Sequence, residues 1–148
     1  NYVLNAVSAI NSIPGEVKCF QSGLIWVNEK GEQIRYHAHT YESLEHFKQM
    51  SIFVCPVSNP TVFYHKSIGS VLNESREAHF ENNLQDIGVG DYDMWCGLAD
   101  RGVYVHPYEG PLGYFYRWHE NQATWTVQKS AVNYDEIIRE YWRKKWNL

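Results

Sequence analysis

Gly23-Leu-Ile-Trp-Val-Asn-Glu-Lys-Gly-Glu-Gln-Ile-Arg-Tyr-His-Ala-His39 is two alternating runs around a polar, glycine-containing loop, Glu29–Glu32. That pattern predicts a β-hairpin. Pairing Val27 with Ile34, and Ile25 with Tyr36, gathers Ile25, Val27, Ile34, Tyr36 and Ala38 on one side. Successive strand side chains alternate between faces, so Trp26, Arg35, His37 and His39 share the other. A guanidinium, two imidazoles and an indole form an unusual set to present to plain solvent, and this face is the leading candidate for function.

Working outward, residues 2–12 read as a helix with Val3, Val7 and Ile10 as its apolar stripe, ended by Pro14-Gly15. The hairpin region covers 17–39. Thr40 is placed to cap a helix over 41–50, with Tyr41, Leu44 and Phe47 inward. The apolar run Ser51–Val57 suits a buried strand, Asn59-Pro60 a turn, and Thr61–His65 a further strand. Residues 68–84 form a helix candidate. Glycines punctuate 86–113, which reads mostly as loop with a short strand near Val103–His106. Gly113–Trp118 and Ala123–Gln128 alternate as a second hairpin. Asn133, with Glu136 three residues on, opens a C-terminal helix whose inward residues are expected to be Tyr134, Ile138 and Tyr141. The expected fold is a single α+β domain over residues 1–148: a mainly antiparallel sheet of about five to seven strands, flanking helices and a C-terminal helix.

Composition narrows the function. A chain of 148 residues buries about 70% of its unfolded surface and holds a core without disulfide or metal. The formal net charge of −4 opposes a broad nucleic-acid coating, which needs a basic surface, but leaves room for a small phosphate-containing ligand met by local Arg, Lys and His. Cys19, Cys55 and Cys96 are odd in number and lack metal spacing, so reduced, buried thiols and a cytoplasmic location are expected. No apolar stretch reaches membrane-spanning length, and residues 1–13 lack the pattern of a signal peptide. The aromatic share of 16% is out of the ordinary; aromatic side chains fill β-rich cores, and they also line ligand grooves and interfaces.

The chemistry rests on histidine, whose ordinary pKa near neutrality suits general acid and base work. His37, His39, His65, His106 and His119 fall on or beside expected strands. Two histidines flanking a phosphodiester, with a cation stabilising the developing charge, make a metal-free cleavage site. The candidates are His37, His39, His106 and His119 as acid/base groups, with Trp26, Arg35, His65 and Tyr108 as substrate-binding residues: Arg35 for phosphate, Trp26 or Tyr108 for a base. His65-Lys-Ser67 resembles one half of the paired His-x-Ser/Thr signature of two-histidine phosphoesterases, and the chain carries no second copy. His37-Ala-His39 also has the form of a metal-ligating pair, needing a third ligand from His65, His106, Asp91 or Asp93. Cys96 is expected to be a buried structural thiol. The aromatic group Tyr104, Tyr108, Tyr114, Tyr116, Trp118 and Trp125 suits either the sheet core or a stacking surface.

The reading taken is a small phosphodiester- or nucleotide-directed hydrolase working through strand-borne histidines, with no metal and no cofactor. Its rival is a non-catalytic binding or inhibitor protein with an aromatic-rich surface for a ligand or a protein partner, its anchors Trp26, Arg35 and the 104–118 tyrosines.

Overall fold

The computed structural model describes residues 1–77, 90–120, 122 and 132–148. Helix α1 (Tyr2–Ser12) leads into strands β1 (Cys19–Ser22), β2 (Leu24–Val27) and β3 (Gln33–His37). Helix α2 (Leu44–Ser51), the two-residue strand β4 (Phe63–Tyr64), and helices α3 (Gly69–Glu77) and α4 (Gly90–Asp100) follow. Strands β5 (Val105–Tyr108) and β6 (Phe115–Arg117) and the C-terminal helix α5 (Tyr134–Trp146) complete the described elements. The class is α+β, as the sequence indicates. Among the described residues no helix is long and apolar enough to cross a membrane.

The sheet is not mainly antiparallel. Two three-stranded mixed sheets form, in the orders β4-β1-β5 and β3-β2-β6. Each central strand has one antiparallel neighbour, β4 or β3, and one parallel neighbour, β5 or β6. Parallel pairing needs a long crossover, and the helices between β3 and β5 supply it. β1 and β2 are one run of chain broken only at Gly23, whose N–H donates to the Tyr108 carbonyl (3.2 Å). A Cβ on Gly23 would fall on the Tyr36 ring, so glycine is required there for the ring's close approach.

Alternation along β1 divides the core. Cys19 joins Val105, Tyr41, Phe47, Ile68, Leu72, Met94, Trp95 and Leu98 on one side. Its neighbour Phe20 joins Ala6, Ala9 and Leu112 beneath α1 on the other. α4 is covered twice: Trp95 and Leu98 face the sheet cluster, while Tyr92 and Cys96 meet Ile138 and Trp142 of α5. This explains why residues 90–100 read as loop. A helix buried all round has no amphipathic stripe, and its glycines and aspartates dominate the local pattern.

Other expectations change for similar reasons. The stripe facing inward on α1 is Ala6 and Ala9, with Val3 and Val7 exposed, because the small residues allow close approach to Phe20. Ser43 rather than Thr40 caps α2, accepting from His46 N–H (3.1 Å). The run 51–57 is not a strand: α2 extends through Ser51, and Phe53 and Val54 are exposed where the chain turns. The strand expected at 61–65 shrinks to Phe63–Tyr64, preceded by a single 3-10 turn over Asn59–Thr61. Asn133 caps α5 as expected, accepting from Glu136 N–H (3.2 Å), but the buried pair is Ile138 and Trp142, with Tyr141 outside. The part of the 68–84 helix after Glu77, and the Ala123–Gln128 strand, lie outside the described residues.

Candidate functional site

The hairpin forms at the expected place. Ile25 pairs with Tyr36, and Trp26 with Arg35. Val27 pairs with Gln33, not Ile34, because the register shifts there and leaves Ile34 as the extra residue of a bulge. Asn28 organises the loop through its side-chain oxygen, which accepts from the N–H groups of Lys30 (3.0 Å) and Glu32 (2.9 Å).

Neither face of the hairpin is uniformly covered: Val27 is buried on one, and Arg35 is exposed on the other. Ile34 is 53% exposed and Phe115, brought alongside by the parallel β2–β6 pairing, is 63% exposed. Trp26, His37 and His39 are half-buried. The helical layer packs on the β1–β5 half, and none of the buried clusters includes Ile25, Ile34 or Tyr36. Trp26, by contrast, is covered by its own strand neighbours.

That covering is a cross-strand stack. The Arg35 guanidinium carbon lies 3.9 Å from the centre of the Trp26 ring. Trp118 stacks on the same indole with ring centres 4.4 Å apart and planes 25° from parallel, and Tyr116 leans in at 6.0 Å. β2 lies between β3 and β6, and two groups this close cannot share one indole face. Arg35 and Trp118 therefore occupy opposite faces of Trp26. Trp26 has no open face on which a nucleobase would stack, and its buried indole N–H has no acceptor among the described residues. The Arg35 guanidinium is different. It lies over the ring, the residue is exposed, and no hydrogen bond or ion pair engages it among the described residues.

Beside Arg35, His37 and His39 touch. Their Nε2 atoms are 3.3 Å apart and their rings meet nearly edge to face, with centres 4.5 Å apart. Burial and then the Arg35 charge lower the His37 pKa. Burial and then His37 bring that of His39 down to about 4. His39 is therefore neutral at pH 7, with a ring nitrogen available as an acceptor or ligand.

The remaining sequence candidates lie elsewhere. His106 sits on β5 opposite Phe20, its ring 5.6 Å from Tyr104. Tyr108 packs over Phe20 at 5.8 Å, as part of the α1 core. His65 is exposed and caps a short turn through Ser67 N–H (3.3 Å). His119 follows Trp118 and accepts through its carbonyl from Gln122 N–H (3.4 Å). Asp93 is buried against Trp142, whose indole N–H donates to it (2.7 Å). Cys96 is fully buried and its thiol pKa is driven well up by burial, which disfavours the nucleophilic thiolate. The structure thus unites Trp26, Arg35, His37 and His39 and adds Tyr116 and Trp118. Strand parity already puts Tyr116 and Trp118 on one face of β6, but nothing local reveals that β6 pairs with β2.

No family model, no curated protein and no solved structure matches this chain.

Proposed function

We propose that this protein binds a small phosphate-bearing ligand, nucleotide-like in class, with Arg35 as its anchor and the His37–His39 pair beside the bound group. One observation carries the reading: an exposed guanidinium fixed on Trp26, with its N–H fork unspent among the described residues. A planar, pre-oriented fork suits the bidentate recognition of phosphate, and fixing it in advance lowers the ordering cost of binding. Because both faces of Trp26 are filled, the ligand's ring would rest against the rim of the stack rather than on Trp26.

Binding without catalysis is favoured over the two-histidine hydrolase. An acid and a base acting across one phosphorus each need a hydrogen bond to a different oxygen, which sets their nitrogens about 5 Å or more apart. The Nε2 atoms of His37 and His39 stand 3.3 Å apart, too close to flank a phosphorus in that way.

The experiment is a titration of the ¹⁵N-labelled protein with inorganic phosphate and, separately, adenosine monophosphate. Saturable shifts at Arg35 Nε and the neighbouring backbone, absent in Arg35→Ala, are expected. No saturation, or unaltered shifts in Arg35→Ala, overturns the reading. Turnover of a phosphodiester that disappears in His37→Gln and in His39→Gln would instead put hydrolysis first.

A further inference from the structure

We propose that His37 and His39 form a two-histidine site for a transition-metal ion of the zinc class, leaving its other coordination positions open to water or an anionic ligand. The inference does not depend on the phosphate reading above.

The first support is the separation of the nitrogens. Imidazole nitrogens bind zinc at about 2.05 Å, so two of them on a tetrahedral ion lie about 3.3 Å apart. The Nε2 atoms of His37 and His39 are 3.3 Å apart. Two rings aimed at one tetrahedral ion have their centres about 5.2 Å apart. The centres of His37 and His39 are 4.5 Å apart, so at least one ring turns as the ion replaces the hydrogen bond between the nitrogens.

The second support is how the chain holds the pair. His37 ends β3 opposite Leu24, and strand pairing fixes its backbone. His39 lies two residues on, and both rings are half-buried, so little side-chain freedom remains to be lost on binding.

Arg35 and the ligand count bound the proposal. The guanidinium charge near His37 weakens binding of a bare cation and favours an anion on the open positions. Among the described residues no third His, Cys, Asp or Glu completes a cage. His65, His106, Asp91 and Asp93, the third ligands the sequence offers, are not grouped with the pair. A site with two protein ligands favours zinc, copper or nickel over calcium or magnesium, which require oxygen donors.

The test uses the full chain with metal alone. Zn²⁺ is titrated in competition with a chromogenic chelator, and Co²⁺ is substituted so that its spectrum reports the ligand type. One ion per chain is expected, with a nitrogen/oxygen spectrum and no thiolate charge-transfer band. Each of His37→Gln and His39→Gln should weaken binding roughly tenfold or more, while His65→Gln and His106→Gln leave it unchanged. Imidazole ¹⁵N shifts on adding Zn²⁺ should fall on Nε2 of His37 and His39 and on no other histidine. Far-UV circular dichroism establishes that each variant is folded. Unchanged affinity in both hairpin variants, a thiolate band, or shifts confined to other histidines overturns the proposal.

Discussion

The Arg35 guanidinium carbon lies 3.9 Å from the centre of the Trp26 ring, directly across the β2–β3 pairing. The contact joins a cation that has no carboxylate partner among the described residues to an indole whose opposite face is filled by Trp118. A cation–π contact at a partly exposed site is worth about 0.5–1 kcal/mol. Its larger effect here is to restrict where the guanidinium sits, on an exposed residue whose N–H groups meet no partner among the described residues.

Arg35→Ala and Arg35→Lys should therefore separate stability from binding. Both should shift the urea midpoint only slightly, by no more than about 1 kcal/mol in unfolding free energy. Phosphate binding should be lost in the alanine variant and largely lost in the lysine variant, because an ammonium has neither the planar fork nor the stacking. Phosphate affinity measured for all three proteins at one ionic strength decides the matter. Lysine matching arginine would mean that charge alone, without the fixed fork, supports binding.

The Trp26–Trp118 stack couples β2 to β6 and should have a spectral signature. Two indoles with centres 4.4 Å apart and planes 25° from parallel are close enough for exciton coupling. Trp118→Leu should abolish that couplet in circular dichroism and lower stability by about 1–2 kcal/mol, of which the aromatic pair supplies about 0.5–1.5. A couplet that survives Trp118→Leu would have to come from another pair, such as Trp142 and Trp146, whose centres are 4.8 Å apart.

Gly23 and Tyr36 should behave as one unit. The Tyr36 ring lies where a Gly23 side chain would be, and its hydroxyl donates to the Glu109 carbonyl. Gly23→Ala must push the ring away and break that bond, at a cost of about 1–3 kcal/mol. In the Gly23→Ala/Tyr36→Val double variant the clash is gone, so the combined loss should fall well short of the sum. Additive losses from denaturant melts would show that the glycine serves the β1–β2 backbone alone.

Local chemistry was legible in the sequence where one segment determines its own structure. The Asn28–Glu32 loop, the Trp26–Arg35 pairing and the Asn133 cap each depend on residues a few positions apart, and each forms. What was not legible depends on distant chain. The parallel partners of β1 and β2 arrive roughly 85–90 residues later, and no local pattern names them. α4 was hidden because burial between the sheet and α5 erases its periodicity. Alternation separates the two hairpin faces but does not say which is covered: Ile34 and Phe115 stay exposed because the buried clusters lie against the other sheet, β4-β1-β5. For the site, strand parity correctly grouped Trp26, Arg35, His37 and His39. It had no means of bringing in His106, which the topology assigns to the other sheet.

Asp93 predicts how stability varies with pH. Its carboxyl is buried in α4, and desolvation raises its pKa to about 6 despite the hydrogen bond from Trp142 and the nearby Lys145 charge. In the unfolded chain an aspartate titrates near pH 3.9, as an ordinary exposed carboxyl does. A folded pKa above the unfolded one means that the native state binds the proton more tightly. The Asp93 contribution therefore favours folding fully below about pH 4 and is lost as pH rises through about 6. A two-unit difference corresponds to about 3 kcal/mol, an upper figure since the buried site can relax. Asp93→Asn keeps the acceptor for the Trp142 indole and removes the titration. Relative to the parent, the variant should be more stable at about pH 8, and the difference should shrink as the pH falls to about 5. Urea unfolding of the two proteins across that range measures it directly. A difference independent of pH would show that Asp93 keeps an ordinary pKa, with Lys145 and Trp142 offsetting its burial in full.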